Sequence, residues 1–323
     1  MWKRSEMVPF PSIWRKFKGR KEINGVIPTF WVQDIPLDEF DKVTDCMIEK
    51  FCRDEPLTRL SEITNDSKSV KDMRIMWNQI LCERLGIICY MENPDANGSP
   101  IFAGVNCTHL KTRFDKKLQL HGRASCQLFE SMDYLTDQND TFSKLNSDFL
   151  LSGLGLYVLP EFRGQGVGLE IIKARDDLCK AVGIPAIVTV FTSHFSQRIA
   201  EVAGYKMISE ISYDDLKKAN PHFKFTEINN GSKATSPMTD TQVTQQKFKK
   251  KSITLLSSMS MNTKIVMKCS TKLYANLYAL RHMTYPYFDD SNSTLDDLSP
   301  QTSSDTGLSS DHTGTCSTDN KTP

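Results

Sequence analysis

The chain has 323 residues, 39% of them hydrophobic, which is enough for a sizeable core but low for a chain packed along its whole length. Forty basic side chains against thirty-nine acidic ones leave a net charge of +1, which excludes a globally charged surface for nucleic acid or membrane. Nine cysteines without a C-x-x-C pair read as reduced thiols of a cytoplasmic protein rather than a disulfide or zinc framework.

Residues 1–27 are basic and rich in aromatics and proline, an N-terminal arm that is either flexible or strapped onto the domain. They hold no continuous apolar run, which predicts no secretory leader. No stretch of the chain reaches the ~20 apolar residues of a membrane-spanning helix. TFWVQ (29–33) reads as a first strand. From Asp38 as N-cap, Phe40, Val43, Met47 and Phe51 recur at helical spacing, and the helix should stop before Pro56, because the residue preceding proline avoids helical dihedrals. Val70, Met73, Trp77, Ile80 and Leu85 mark a second helix with Gly86 as its cap. IICYME and SPIFAGVNCTHL form two strands around the turn NPDANG, and 111–147 is a polar helical insertion.

FLLSGLGLYVL (149–159) is a long apolar run ending at Pro160, as a central strand requires. A glycine-rich turn follows, then Val167, Ile171, Ala174, Leu178 and Val182 on one helical face that Gly183 closes. AIVTVF (186–191) reads as a strand covered on both sides. Phe195, Ile199 and Val202 give a short helix, and KMISEISY (206–213) the last strands. Residues 28–230 thus make the domain. Residues 231–323 are dominated by polar residues that bury too little apolar area to offset chain entropy, which predicts a mostly disordered tail. Within it, KFKKK (247–251) reads as a solvated linker and Lys272–Arg281 as a weak docking helix for an unknown partner. Removal of the chain after residue 230 is expected to leave a folded domain.

The turn Arg163-Gly164-Gln165-Gly166-Val167-Gly168 joins a strand to a helix. Free amides and the dipole at a helix N-terminus attract anions, glycines permit close approach, and an arginine adds a cation with a fork suited to phosphate. A diphosphate is the expected ligand. A P-loop needs Lys followed by Ser or Thr after the last glycine, and Leu169-Glu170 stands there instead. A dinucleotide fold needs G-x-G-x-x-G and an acid at the end of the next strand; Leu169 stands where the third glycine of that spacing belongs, and AIVTVF runs into Thr192 with no carboxylate.

Arg163-x-x-Gly166-x-Gly168 after a long strand resembles the coenzyme A loop of the GNAT acetyltransferases. With RDEPL (53–57), LYVLPEFRGQGVG (156–168) and FTSHFSQRIAEVAGY (191–205), the chain resembles insect and nematode arylalkylamine N-acetyltransferases over about 28–228. The resemblance implies an α/β (α+β) GNAT fold: a mixed central sheet splayed between two parallel strands, with helices on both faces, here followed by the disordered tail.

It also implies acetyl-CoA as cosubstrate. Leu156, Tyr157 and Val158 would pair with the pantetheine arm, and Arg163 with the amides of Gly164, Gln165, Gly166, Val167 and Gly168 would hold the diphosphate. Ser193 would cap the following helix while touching the cofactor. An alkylammonium of pKa ~10 is about one part in a thousand neutral at pH 7, a deficit of roughly 4 kcal/mol that a general base removes. Glu55 matches the family's catalytic glutamate. The tyrosine acid common in the superfamily is replaced by Ala200, which leaves Ser196 and Thr192 to serve the departing thiolate. The histidines have no metal-ligand spacing, so no metal is expected.

The implied function is transfer of acetyl to a small primary amine, an arylalkylamine such as dopamine, octopamine, tyramine or serotonin or else a small polyamine-like amine, by direct attack in a ternary complex. The protein is expected to be a monomer, with no nucleic-acid or membrane partner. Two other readings stay open: a catalytically weak CoA-binding interaction protein of the same fold, and an acetyltransferase of protein or peptide amines.

Overall fold

The apolar runs of the sequence assemble into one mixed sheet, and the way its strands are recruited fixes where a cleft can open. The computed structural model of the protein describes residues 2–220, 223 and 264–270. In chain order the elements are β1 (Ile13–Lys18), β2 (Thr29–Asp34), α1 (Phe40–Cys46), α2 (Cys52–Asp54), α3 (Pro56–Leu60), α4 (Ser67–Leu81), β3 (Ile87–Met91), β4 (Ile101–Thr112), α5 (Arg123–Asp137), α6 (Thr141–Leu145), β5 (Phe149–Val158), α7 (Val167–Val182), β6 (Ile187–Phe191), α8 (His194–Val202), β7 (Lys206–Ser212), α9 (Tyr213–Ala219) and β8 (Lys264–Ser270).

The eight strands lie in the order β1-β2-β3-β4-β5-β6-β8-β7. All neighbours are antiparallel except β5 and β6, which run parallel and pair only through Leu151↔Ile187 and Ser152↔Val188. Beyond Ser152 the two strands part, so the mixed, splayed α/β sheet expected from the sequence is present. Helices flank it: α7 packs across β1 to β5, and α4 lies on β4 and against α5. Its strand–turn–helix entry follows the sequence closely, with Gly183 closing α7 in the left-handed region at φ +75°.

Several local expectations change. Asp38 lies inside a 3-10 turn, Leu37–Glu39, rather than capping α1. The helix then loosens into a π turn over Met47–Phe51 and ends where Pro56 forces Glu55 to an extended ψ of 130°. Gly86 does not cap α4, which stops at Leu81, while Arg84 takes the left-handed conformation at φ +57°. Gly86 is instead pressed against the Ile35 side chain, where a Cβ has no room. The insertion at 111–147 resolves into the end of β4, α5 and α6.

Two strands of the sheet, the edge strand β1 and the interior strand β8, come from outside 28–230. Part of the N-terminal arm is β1, paired with β2 through Ile13↔Gln33 to Lys18↔Thr29. Lys264–Ser270, assigned from composition to the disordered tail, form β8 between β6 and β7. Six of its seven residues are buried, so KMISEIS is an edge strand and not the last one. KFKKK and Lys272–Arg281 lie outside the described residues. Among the described residues no helix is long and apolar enough to cross a membrane.

Candidate active site

The parting of β5 from β6 opens a cleft lined by Glu55, by β5 from Gly153 to Leu156, by Arg175, and by the segment Thr189–Ser193 with Ser196. It encloses ≈ 680 Å³ with its open mouth included, the size of a small-molecule site. Leu156, Tyr157 and Val158 pair with Asn106, Val105 and Gly104 of β4 on one edge. Their other edge faces the gap, because pairing with β6 ends at Ser152.

A bulge shapes this edge. Between the pairs Asn106↔Leu156 and Thr108↔Gly153, one residue of β4, Cys107, opposes two of β5, Leu154 and Gly155, and Gly155 takes φ +109°. The carbonyls released by the bulge find side-chain donors. Trp77 Nε1 donates to Leu154 O at 2.9 Å, and Asn106 Nδ2 to Gly155 O at 2.7 Å. Asn106 is in turn held by Arg175, a buried guanidinium whose Nε donates to Asn106 Oδ1 (2.6 Å) and whose Nη1 donates to Thr189 Oγ1 (2.9 Å). Arg175 therefore ties β4, the β5 bulge and β6 together at the root of the splay. Gly153 makes this possible, since a Cβ there would fall 2.8 Å from Arg175 Nη2. Nothing in the helical spacing points to this arginine, which occupies an ordinary polar position of a helix.

Glu55 reaches the cleft because Pro56 stops one helix and starts the next. It is the N-cap of α3: its Oε1 accepts from the Leu57 amide (3.0 Å) and its Oε2 from the Thr58 amide (2.8 Å). The Thr192 hydroxyl donates to Glu55 Oε1 as well. Thr192 thus stands with Glu55, across the cleft, and not with Ser196. The partner of Ser196 is Ser193, whose hydroxyl donates to Ser196 Oγ (2.8 Å) and accepts from the Ser196 amide (3.2 Å) as the cap of α8. Ser196 Oγ itself donates to Ser193 O at 2.9 Å. Apart from Thr58 the rest of the lining is apolar, chiefly Phe51, Met73, Met76, Trp77, Phe129 and Met132. The sequence showed Met73 and Trp77 only as a helical core stripe.

The glycine turn needs its glycines: Gly164 and Gly166 have φ of +83° and +93°. The amides of Gly164, Gly166, Val167 and Gly168 make none of the described turn or loop backbone bonds, whereas the Gln165 amide donates to Phe162 O at 3.3 Å. Gln165 is buried, and its side chain turns to the N-terminal arm. Arg163 turns to Asp54 (2.6 Å), donates from Nε to Val158 O and lies over the Tyr157 ring. Its guanidinium is thus held beside the turn by a carboxylate.

The three described histidines stand apart from the cleft chemistry. Burial holds the His109 imidazole down at about 4, His121 Nδ1 sits 3.2 Å from Asp72 Oδ1, and His194 is exposed at the start of α8. Among the described residues no three His, Cys, Asp or Glu side chains gather as a metal-holding group.

No protein-family model matches the chain. Among solved structures it is similar to a protein of the yellow fever mosquito Aedes aegypti that carries the name arylalkylamine N-acetyltransferase 7. That likeness has 25% identity and a TM-score of 0.68, and covers 84% of this chain and 99% of the other. Arylalkylamine N-acetyltransferase 2 of Aedes aegypti follows at 16% identity and TM-score 0.55, over 75% and 98% of the two chains. A mosquito arylalkylamine N-acetyltransferase like 5b has 17% identity and TM-score 0.52, over 75% and 99%. The chain has the GNAT fold, and the solved structures it resembles are insect arylalkylamine N-acetyltransferases.

Proposed function

We propose that the protein transfers the acetyl group of acetyl-CoA to a small primary amine carrying an aromatic body. The observation that carries this reading is the position of Glu55, hydrogen-bonded to Thr192, on an apolar cleft that opens between two parting parallel strands. The residues suit the cosubstrate. Four amides without described turn or loop backbone partners sit at the start of a long helix, on a turn whose positive φ values keep side chains away. The open edge of β5 offers an extended partner to the pantetheine arm.

Within the cleft Glu55 takes a proton from the bound ammonium, and the freed amine nitrogen attacks the thioester carbonyl carbon. As the carbon–sulfur bond breaks, the Ser196 hydroxyl gives its proton to the departing thiolate and is reprotonated by the second proton that the attacking nitrogen loses on becoming an amide. The Thr192 hydroxyl and two backbone amides orient the Glu55 carboxylate for its part. The aromatic and methionine lining supports an arylalkylamine such as dopamine or serotonin. Glu55 is the lone carboxylate among the lining residues, so a second ammonium, as in a polyamine, meets no counter-charge there.

The test is the pH–rate profile of Glu55→Gln with acetyl-CoA and dopamine. Loss of a general base lowers turnover about 10²- to 10⁴-fold. The deficit should be largest at low pH, where free amine is scarcest, with coenzyme A affinity near that of the wild type. Full rate at every pH would remove Glu55 from the mechanism.

A further inference from the structure

We infer that the N-terminal arm is part of the cofactor site, and that Arg20 and Lys21 supply the cations that hold the phosphate groups of coenzyme A. This rests on the acetyl-CoA reading above and assigns to the arm a task that the turn's own arginine is not placed to perform.

The arm is delivered to the turn by fixed contacts. A Cβ at Gly19 would meet Gln165 Oε1 and Pro28 Cγ at 2.8 Å, so only glycine lets the chain pass this close. The Gly19 amide donates to Pro28 O at 2.8 Å. Gln165 then grips the next two residues: its Oε1 accepts from the Arg20 amide (2.8 Å) and the Lys21 amide (2.9 Å), and its Nε2 donates to Lys21 O (3.0 Å). Upstream, Arg15 of β1 pairs with Glu170 (2.8 Å) and Asp177 (3.0 Å) of α7, so the arm is tied to the helix that carries the turn.

The two side chains land on the two glycines. A Cβ built at Gly164 lies 3.2 Å from Lys21 Nζ, and one built at Gly166 lies 3.0 Å from Arg20 Nε. Both residues are exposed, and among the described residues neither makes an ion pair. Arg163, by contrast, is held by Asp54. Two cations without an ion-pair partner among the described residues, set at a helix N-terminus, repel each other and the helix dipole unless an anion joins them. Coenzyme A brings such anions in its diphosphate and its 3′-phosphate.

The experiment is calorimetric titration of the full chain with coenzyme A and with dephospho-coenzyme A, which lacks the 3′-phosphate. It compares wild type, the double variant Arg20→Ala/Lys21→Ala, Gln165→Leu, and Lys16→Ala as a charge control elsewhere on the arm. The double variant is expected to melt as the wild type does and to bind coenzyme A about tenfold or more weakly, with a shallower dependence on salt. Gln165→Leu, which frees the arm but keeps both charges, is expected to weaken binding too, and Lys16→Ala to leave it unchanged. A loss that persists with dephospho-coenzyme A assigns the cations to the diphosphate; a loss that vanishes assigns them to the 3′-phosphate. Wild-type binding with an equally tight double variant overturns the inference and leaves the acetyl-CoA reading standing. No binding by the wild type overturns both.

Discussion

The sheet is closed at its two ends in different ways. At one end β1 is an edge strand with no fully buried residue: Trp14 and Phe17 pack in part against the core, and polar ties do the rest, Arg15 to α7, Gln165 to the arm, and Arg4 to Asp34. Asp34 is fully buried and also receives the Ser12 amide (2.8 Å) and the Trp14 indole (2.9 Å). At the other end β8 is an interior strand, with Ile265, Val266 and Met267 at 0–2% exposure between β6 and β7. Polar ties are few, directional and adjustable, and they suit a segment that meets a ligand. Apolar burial on both faces is additive and suits a segment on which the fold depends.

The largest effect should come from cutting the β8 end. Each of its buried aliphatic side chains is worth about 1.5–3 kcal/mol, and together they approach a whole domain stability of about 5–15 kcal/mol. A chain ending at residue 230 is therefore expected to be insoluble or to melt without cooperativity, against the expectation from composition. A chain ending at His282 should give a cooperative thermal transition. A cooperative melt of the 1–230 chain would make β8 an accessory.

The arm's weak point is Asp34. Asp34→Ala leaves the Arg4 guanidinium, only 5% exposed, without its carboxylate, a loss of about 3 kcal/mol. Denaturant unfolding should read it, and a change under 1 kcal/mol would mean that the arm is held elsewhere.

A smaller effect tests β8 from within. Lys268 is 2% exposed, with its ammonium 2.8 Å from Glu201 and 3.2 Å from Gln197 O. Lys268→Ala should cost about 2 kcal/mol through the cavity it leaves, whereas Lys268→Met, which keeps the volume, should stay within about 1 kcal/mol of the wild type. Equal losses would show that the charge, and not the packing, matters there.

The smallest effect lies between the two ends. Burial pushes the Glu83 carboxyl up to about 7, against the pull of the Leu110 amide that it accepts at 2.7 Å. A folded carboxyl above its free value means that folding takes up a proton. Its stability contribution is full below the ordinary carboxylate range and is lost as pH rises toward 7. Glu83→Gln should thus melt higher than the wild type at pH 8 and equal it at pH 4; a gain at pH 4 instead would reverse the sign.

The middle of the sheet was legible because its signals are local. An apolar run ending at Pro160, glycines at fixed offsets and one helical face describe β5, the turn and α7 without distant contacts. β8 was hidden by Lys268, which interrupts its apolar run, and by pairing partners far back in the sequence. The edge strand β1 reads as an arm because the only apolar side chains it buries are Trp14 and Phe17, and those in part. In the site, Glu55 stood out through Pro56 and the family resemblance. Arg175 and Asn106 did not, since a buried polar network depends on which strands meet. The basic tract Lys18-Gly19-Arg20-Lys21 was visible, but its target appears only when Gln165 brings it to the turn.

Thiol release from acetyl-CoA by the purified full chain, with dopamine, serotonin and putrescine offered side by side, tests the central claim most directly. Turnover on the aryl amines with little on putrescine is the expected result. Absence of thiol release with any amine, despite coenzyme A binding, would contradict it and leave the glycine turn as the site of a binding protein.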